Sequence, residues 1–477
     1  METTKTMEPR MRFDDVAWEE SENIESAWVR DILKEESQRA IGDFIVKYRQ
    51  GVPTELCDPK AGAFNVLFRM KFQDGGSAVI RFTKPGCTMF PEEKIQNEVA
   101  TIRYIQDNTS IPVPFILHWG PREESPLGLG PFIIMEYINH ETDVCKVLNN
   151  PELHWEDRPR LDPHINLEKL EMLYYQLADV LLQLSKLEFP HIGSLEEVEE
   201  FESEVESEAR RRPLSIHMNE LIRLGTLPRN KLPSGTFTSS FDYFEALSQL
   251  HIDHLTHQRN DAVDSETDCR RKYVARQLFR KLVRQRRLLS KTHADGPFKL
   301  WCDDLRPSNV LLDANMQIIG VVDWEFTYAA PVEFSFSPPW WLLLEQPEYW
   351  PEGVENWKEI YDSRLKTFLK AMTDVEDAAI ASGRLDEAQR LSPRMKESWD
   401  SGEFWVIYAA RKNFAFDSIF WRELDPRFFG NSGVAQEDSW RKRLDMLDEL
   451  ERSCMEELVG RKMKEMETRV LAWEVDE

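Results

Sequence analysis

Leu300-Trp301-Cys302-Asp303-Asp304-Leu305-Arg306-Pro307-Ser308-Asn309, followed by Gly320-Val321-Val322-Asp323-Trp324-Glu325-Phe326, is the stretch from which this chain is read. Its first apolar run carries Asp304 into a loop. Val310-Leu311-Leu312, a turn at Asp313-Ala314-Asn315 and Ile318-Ile319-Gly320-Val321-Val322 then have the pattern of a short β-hairpin. A hairpin sets its two ends side by side, so Asn309 and Asp323, distant in sequence, are placed to ligate one ion. These residue types suit phosphoryl transfer, in which catalysis is mostly positioning and charge neutralisation. One carboxylate orients the acceptor hydroxyl and takes its proton, while a second carboxylate and an amide oxygen hold Mg²⁺. Ordinary turn chemistry also uses Asp and Asn, but the intervening hairpin argues for the site.

Upstream, Ala63 to Phe72 and Ala78 to Phe82 flank the turn Gln73-Asp74-Gly75-Gly76-Ser77 and predict a second hairpin. Ile95, Val99, Ile102 and Ile105 recur at helical spacing within Glu92–Gln106. Pro112-Val113-Pro114 closes that segment, and Pro131 to Tyr137 predicts another strand. From Leu167 to Leu187 leucines repeat every three to four residues along one buried helical face, which Pro190 follows.

The catalytic stretch resembles the aminoglycoside phosphotransferase and choline kinase superfamily, relatives of the protein kinases. There H-G-D-x-x-x-x-N is followed by a strand and I-D-W/F-E. The whole chain is similar to a large fungal group of phosphotransferase-family proteins. The resemblance implies an α+β fold with two lobes: a small N-terminal lobe with an antiparallel sheet plus a helix, and a large, mainly helical C-terminal lobe. It divides the chain into an N-terminal helical extension (1–50), the N-lobe (51–140) and the C-lobe (141–477). The last includes the catalytic loop (300–326) and a helical insertion at about 195–290 covering the acceptor side.

The implied activity is ATP- and Mg²⁺-dependent transfer to a hydroxyl of a small molecule. Asp304 is then the base, by the D-x-x-x-x-N interval back from Asn309, and Asn309 and Asp323 are the metal ligands. Arg81 grips the α- and β-phosphates and Glu98 holds it, where protein kinases use a lysine; Arg binds phosphate bidentately but does not titrate. Gly62 lets backbone approach the triphosphate. Met135, Glu136 and Tyr137 form a hinge whose backbone pairs with adenine, or else a plain core strand. Arg306 either supplies transition-state charge or forms a structural ion pair with Asp303 or Glu325.

Two positions depart from the family pattern. Its His is Cys302 here and its Gly is Asp303. A thiol is a weak donor for tying the catalytic loop to the metal loop. Asp303 offers a second carboxylate that can raise its neighbour's pKa and is itself an alternative base. These departures, with no G-x-G-x-x-G and no Walker A motif, motivate a different reading: a catalytically weak or inactive pseudokinase serving as a nucleotide-binding or protein-interaction scaffold. Transfer to protein Ser/Thr fits less well, because no A-P-E-like segment follows Asp323.

Composition narrows the rest. With 477 residues, 15 Trp and 26 Phe, the chain can bury a sizeable core. A net charge of −25 argues against sequence-independent nucleic-acid binding and against anionic membranes. Six scattered cysteines, with no C-x-x-C pair, read as free thiols of a reducing compartment. Met1 to Arg12 lacks the apolar core of a signal peptide. No run approaches the ~20 apolar residues that span a bilayer. The expectation is a cytoplasmic protein, with oligomeric state left open.

Three further segments carry expectations. Glu196–Glu208 is acidic, Arg210-Arg211-Arg212 follows, and Arg280–Arg287 is basic on a predicted helix, where a solvated face is expected. His251, His254 and His257 stand at i, i+3 and i+6, off the usual zinc spacing, and read as surface or core-edge residues. Phe404–Tyr408 and Phe414–Phe416 look like packing faces, and a last helix from about 436 is either exposed or docks a partner.

Overall fold

In a computed structural model, residues 13–199 and 205–472 are described. The segment Met1–Arg12, the middle of the acidic run and Trp473 lie outside them. The chain opens with helices α1 (Asp15–Ile32) and α2 (Glu35–Tyr48). Six strands follow in one antiparallel sheet: β1 (Pro53–Leu56), β2 (Lys60–Ala61), β3 (Asn65–Phe72), β4 (Ser77–Thr83), β5 (Ile116–Gly120) and β6 (Phe132–Glu136). Their order is β1-β3-β4-β6-β5, with β2 also on β3. The β3–β4 turn has the chemistry its sequence demands: Gly75 has φ +84°, and Asp74 accepts from the Gly76 amide at 2.9 Å.

Every residue of β4 is buried, because both faces of the sheet are covered. Side chains alternate across a strand. Ile80 and Phe82 therefore join Phe68, Phe132 and the α2 residues Ile41 and Ile45 in one core. Val79 and Arg81 face the other way, toward α3 (Pro91–Asn108). Pro at the start of α3 suits its first turn, and Thr109 ends it in extended backbone.

The C-lobe is mainly helical. After β7 (Thr142–Asp143) and α4 (Val144–Leu148), α5 (Leu167–Ser185) forms its centre. Gln176 of α5 holds the catalytic hairpin from below, donating to Met316 O at 2.9 Å and accepting from the Ile318 amide at 2.8 Å. That hairpin pairs β12 (Val310–Leu312) with β13 (Ile318–Val321), and β7 adds to it. A second small sheet has the order β14-β11-β8, from β8 (Glu188–Phe189), β11 (Phe298–Cys302) and β14 (Thr327–Ala330).

The 195–290 segment corrects one expectation. It begins not with helix but with an antiparallel hairpin, β9 (Ser194–Glu199) and β10 (Val205–Arg211). Buried Leu195 and Ala209 pair across it, so a period of two, hidden among charges, decided the structure. Helices α6 (Ile216–Gly225), α7 (Ser240–His257) and α8 (Glu266–Arg284) follow. The basic stretch at the end of α8 is solvated as expected, with Arg284, Arg286 and Arg287 exposed. Of the three histidines, His257 is half-buried, at the core edge as expected, and the other two are not. His251 and His254 are fully buried, because α7 packs between α8 and the C-terminal aromatic residues. Among the described residues no cluster of His, Cys, Asp or Glu suits a metal.

Next come α9 (Val332–Phe336), α10 (Val354–Ala381), α11 (Ser392–Ser401) and α12 (Glu403–Arg411). The aromatic residues of α12 are buried as their pattern predicted. The last helix, Glu449–Thr468, is anchored on the protein through Lys462, which donates to Thr256 O at 2.9 Å. Among the described residues no helix is long and apolar enough to cross a membrane.

Candidate active site

A cleft of about 720 Å³, its open mouth included, lies between the sheet and the catalytic hairpin. Leu67, Val79, Ile102 and Met135 give it apolar walls, and Arg81, Glu98 and Asp323 close its inner end. The register Leu67↔Arg81 and Val79↔Met135 puts these side chains on one face of the sheet.

Arg81 is the centre of that end. One guanidinium nitrogen donates to Asp323 Oδ1 at 2.8 Å, and the other ion-pairs with Glu98 Oε2. The Arg81 and Glu98 side chains are buried to within a few per cent. Beside them lies a second buried pair that sequence reading missed. Lys94, one turn before Glu98 on α3, ion-pairs with Glu325, and Asn65 bridges the two. Asn65 donates to Glu325 at 2.8 Å and accepts from Lys94 at 2.9 Å. Glu325 was visible as the last letter of the I-D-W/F-E pattern, and Lys94 only as a charge four residues from Glu98 on the same helix. Burial works to raise the Glu325 carboxyl, but Lys94 and Arg81 hold it below the usual carboxylate range.

The metal loop reaches this network through an unusual backbone. Asp323 and Phe326 both have positive φ, +58° and +59°. Strained conformations of this kind persist where the surroundings over-determine them. Here Trp324 is fully buried and donates to Val321 O at 2.9 Å, Thr327 Oγ1 donates to Trp324 O at 2.7 Å, and Phe326 packs edge-on against Phe64. Burial pushes Asp323 upward, against the pull of Arg81.

The hairpin ends do converge. The Val322 amide donates to Asn309 O at 2.9 Å. Asn309 Nδ2 donates to Asp304 O at 2.8 Å and to its carboxylate at 3.2 Å. Both partners are acceptors, so the amide nitrogen faces them and the amide oxygen of Asn309 is turned away. Burial pushes Asp304 up to about 7, with Glu325 and Asp323 adding to it and Arg306 opposing.

Arg306 departs from both ion pairs expected of a structural arginine. Its Nε lies 3.0 Å from Asp304 Oδ1, and neither Asp303 nor Glu325 is its partner. Asp303 is taken elsewhere: it accepts from Trp301 Nε1 at 2.8 Å and from Arg411 at 3.3 Å. Asp303 is accordingly not the acid that raises Asp304. Cys302 is buried, and its thiol, 3.9 Å from Glu325 O, contributes little. The two loops are tied by backbone instead, through Cys302 opposite Thr327 and the Asp303 amide donating to Phe326 O at 3.3 Å.

The remaining expected residues separate. Met135, Glu136 and Tyr137 line the cleft, but the Glu136 amide already donates to Phe115 O at 2.9 Å and the Tyr137 amide to Ser77 O at 3.0 Å. Gly62 does not line the cleft. It closes the β2–β3 turn with its amide on Asn65 O at 2.8 Å, and its φ is not positive. The turn residue that reaches the site is Asn65, through its side chain.

A second cavity touches the residues on either side of Asp304. Asp303 and Leu305 line it with Trp301, Trp340, Phe404 and Arg411. Arg411 stacks over Trp301 at 4.5 Å and Phe334 at 4.8 Å while it neutralises Asp303.

Three comparisons with known proteins bear on this arrangement. The sequence is 24% identical over 315 residues to the clavilactone A biosynthesis cluster protein Y of Ampulloclitocybe clavipes, covering 64% of this chain and 68% of that protein. Among solved structures, it is similar to an amicoumacin kinase in complex with AMP-PNP and Ca²⁺, at 13% identity and TM-score 0.42, covering 94% of this chain and 97% of the other. It is also similar to an ethanolamine kinase of Plasmodium vivax, at 12% identity and TM-score 0.41, covering 88% and 91%. The model of the phosphotransferase enzyme family matches residues 60–367, which hold strands β2 to β6 of the sheet, α3, the catalytic hairpin and both loops described above. On that match, over more than half its length, the chain belongs to the phosphotransferase enzyme family.

Proposed function

We propose that this protein is an ATP- and Mg²⁺-dependent phosphotransferase acting on a hydroxyl of a small molecule. One observation carries the reading: Arg81 lies between Glu98 and Asp323 at the closed end of the cleft, beside the Asp304–Asn309 pair. Arg81 grips phosphate oxygens there, and Glu98 keeps its guanidinium aimed. Asn309 and Asp323 would hold Mg²⁺. They fit a hard cation, because the Asn309 amide oxygen accepts only a long hydrogen bond from Ser308 Oγ, at 3.4 Å, and only one Asp323 oxygen is taken by Arg81. Bound there, the ion would neutralise charge on the phosphates.

Asp304 receives the acceptor's hydroxyl proton as the acceptor oxygen bonds to the γ-phosphorus and the bond to ADP breaks. A base near 7 suits that task, and Arg306 beside it adds positive charge. The base pocket is the apolar wall of Leu67, Val79 and Met135. A cytoplasmic setting belongs to the same reading, with all six cysteines free.

The acceptor would approach Asp304 from the side of the second cavity, which touches the residues flanking it. Its aromatic lining and its self-neutralised Asp303–Arg411 pair favour an uncharged, largely apolar hydroxyl compound over a polycationic amino sugar. The inactive-scaffold reading rested on Cys302, Asp303 and the missing phosphate-loop motifs. At the first two positions the backbone ties and the pairing of Asp303 with Arg411 support the phosphotransferase reading.

The test is calorimetric titration of the purified protein with ATP, with and without Mg²⁺, for wild type and Asp323→Ala. Mg²⁺-dependent binding that weakens in the variant supports the reading. Binding in no condition overturns it in favour of a scaffold. An acceptor screen for ADP release, pairing apolar ring alcohols with amino sugars, then decides the acceptor class.

A further inference from the structure

The charged residues at the two described ends of the 196–212 run have no part in the chemistry above, yet they meet α3. Arg212 forms a bidentate pair with Glu93, at 2.9 and 2.6 Å. Arg211 donates to Gln96 and, at 3.4 Å, to Asn97, while Glu196 holds the same guanidinium at 2.9 Å. Further along the helix, Glu197 takes Arg103 through both oxygens, at 2.7 and 2.9 Å. Glu93, Gln96, Asn97 and Arg103 form one stripe of α3, while Lys94 and Glu98 point from another side into the active site.

The base of the hairpin is fixed as well. Gly193 exchanges two backbone hydrogen bonds with Ala329 of β14, at 3.0 and 2.8 Å, only a few residues beyond the metal loop. The loop leading into α3 is clamped from the same lobe. Asn219 of α6 accepts from the Met89 amide at 2.8 Å and donates to Cys87 O at 2.9 Å, and Arg229 donates to Met89 O at 2.6 Å.

From these contacts we infer that the β9–β10 hairpin is a brace that sets the rotation of α3, and that Arg211 and Arg212 are positioning residues for phosphate binding. They act through α3 on Glu98 and so on Arg81. The charges that looked like a solvated run are spent on a helix of the other lobe. A fixed helix lets Glu98 hold Arg81 without reorganising when nucleotide arrives, and that is where preorganisation contributes. The inference rests on the phosphotransferase reading for its consequence but not for its mechanics.

Arg212→Ala and the charge exchange Glu93→Arg/Arg212→Glu test it, by Mg²⁺–ATP affinity and by amide hydrogen exchange across residues 91–108. Gly193→Ala is a second route to the same loss, since a Cβ there would lie 2.3 Å from Arg211 O. The expected result is faster exchange in α3 and about tenfold weaker nucleotide binding for Arg212→Ala, within the usual range of coupling between sites. The exchanged pair should recover most of both, and the melting transition should stay cooperative. Unchanged α3 exchange and unchanged affinity in both Arg212→Ala and Gly193→Ala overturn the brace. Wild-type protein that binds no nucleotide overturns the phosphotransferase reading instead, and the exchange measurement still decides the brace.

Discussion

On the side of the catalytic loop proposed for nucleotide, Arg81, Glu98, Asp323, Lys94 and Glu325 form three ion pairs, two of them sharing Arg81, at the end of an apolar cleft. On the acceptor side, Trp301, Trp340 and Phe404 enclose a single pair, Asp303–Arg411. The difference reflects what each side has to recognise. Buried charges cost desolvation that their pairing rarely recovers in full, so a cluster of them is weak evidence for stability. Their presence on one side, next to Asn309 and Asp304, fits a site kept ready for a polyanion. Their mutual cancellation on the other fits a ligand without charge.

The most direct way to break this contrast is Asp304→Asn. A rate loss of about 10²- to 10⁴-fold is expected, the usual range for a lost general base, with nucleotide affinity little changed. Transfer assays beside calorimetry check it, and full activity would remove Asp304 from the mechanism. Next in size is Lys94→Ala, which leaves Glu325 buried without its partner. A stability loss of about 3–5 kcal/mol is expected in urea unfolding. A loss below about 1 kcal/mol, the range of exposed pairs, would mean that the network is not dry.

Asp303→Asn sharpens the same comparison from the acceptor side. Arg411 keeps an oxygen acceptor but loses the opposing charge, so a loss of about 1–3 kcal/mol is expected, with turnover reduced far less than by Asp304→Asn. The reverse order of rates would make Asp303 the base. The smallest effect per unit is a pH dependence behind the acceptor side. Burial holds His217 down to about 3 and His251 and His254 well below their ordinary value. These rings stay neutral in the fold but take up protons when unfolded, so stability is present above about pH 6.5 and falls as pH drops below it. Each contributes up to about 1.4 kcal/mol per pH unit. His251→Phe should flatten the stability-against-pH slope between pH 6 and 4 by about one proton, read from urea midpoints at each pH. An unchanged slope would mean that the ring is hydrated.

How much was legible differs between these regions for a physical reason. The residues proposed as base and metal ligands lie within two short segments joined by a hairpin, so local chemistry and spacing sufficed to bring Asp304, Asn309 and Asp323 together. Arg81 and Glu98 were reached through the resemblance, which expects a cation on the second hairpin strand and an acid on the helix that follows. Lys94 and Asn65 escaped because a single charge on a helix and a polar residue at a turn usually meet water. Only the packing of α3 against the metal loop dries them. Gly62 misled because glycine freedom suggests a phosphate loop, whereas this glycine needs no special φ.

By itself, then, the sequence determined the local periods and the hairpin that unites the proposed catalytic residues, and its resemblance to a known family supplied the two-lobed α+β frame. Tertiary structure alone decided which charges are dry, which acid Arg411 chooses, and that the described ends of the 196–212 run meet α3. Those outcomes depend on contacts between residues more than a hundred positions apart, such as Arg212 with Glu93 and Arg411 with Asp303. The energy of such a pair is set by the burial around it, which no local pattern encodes.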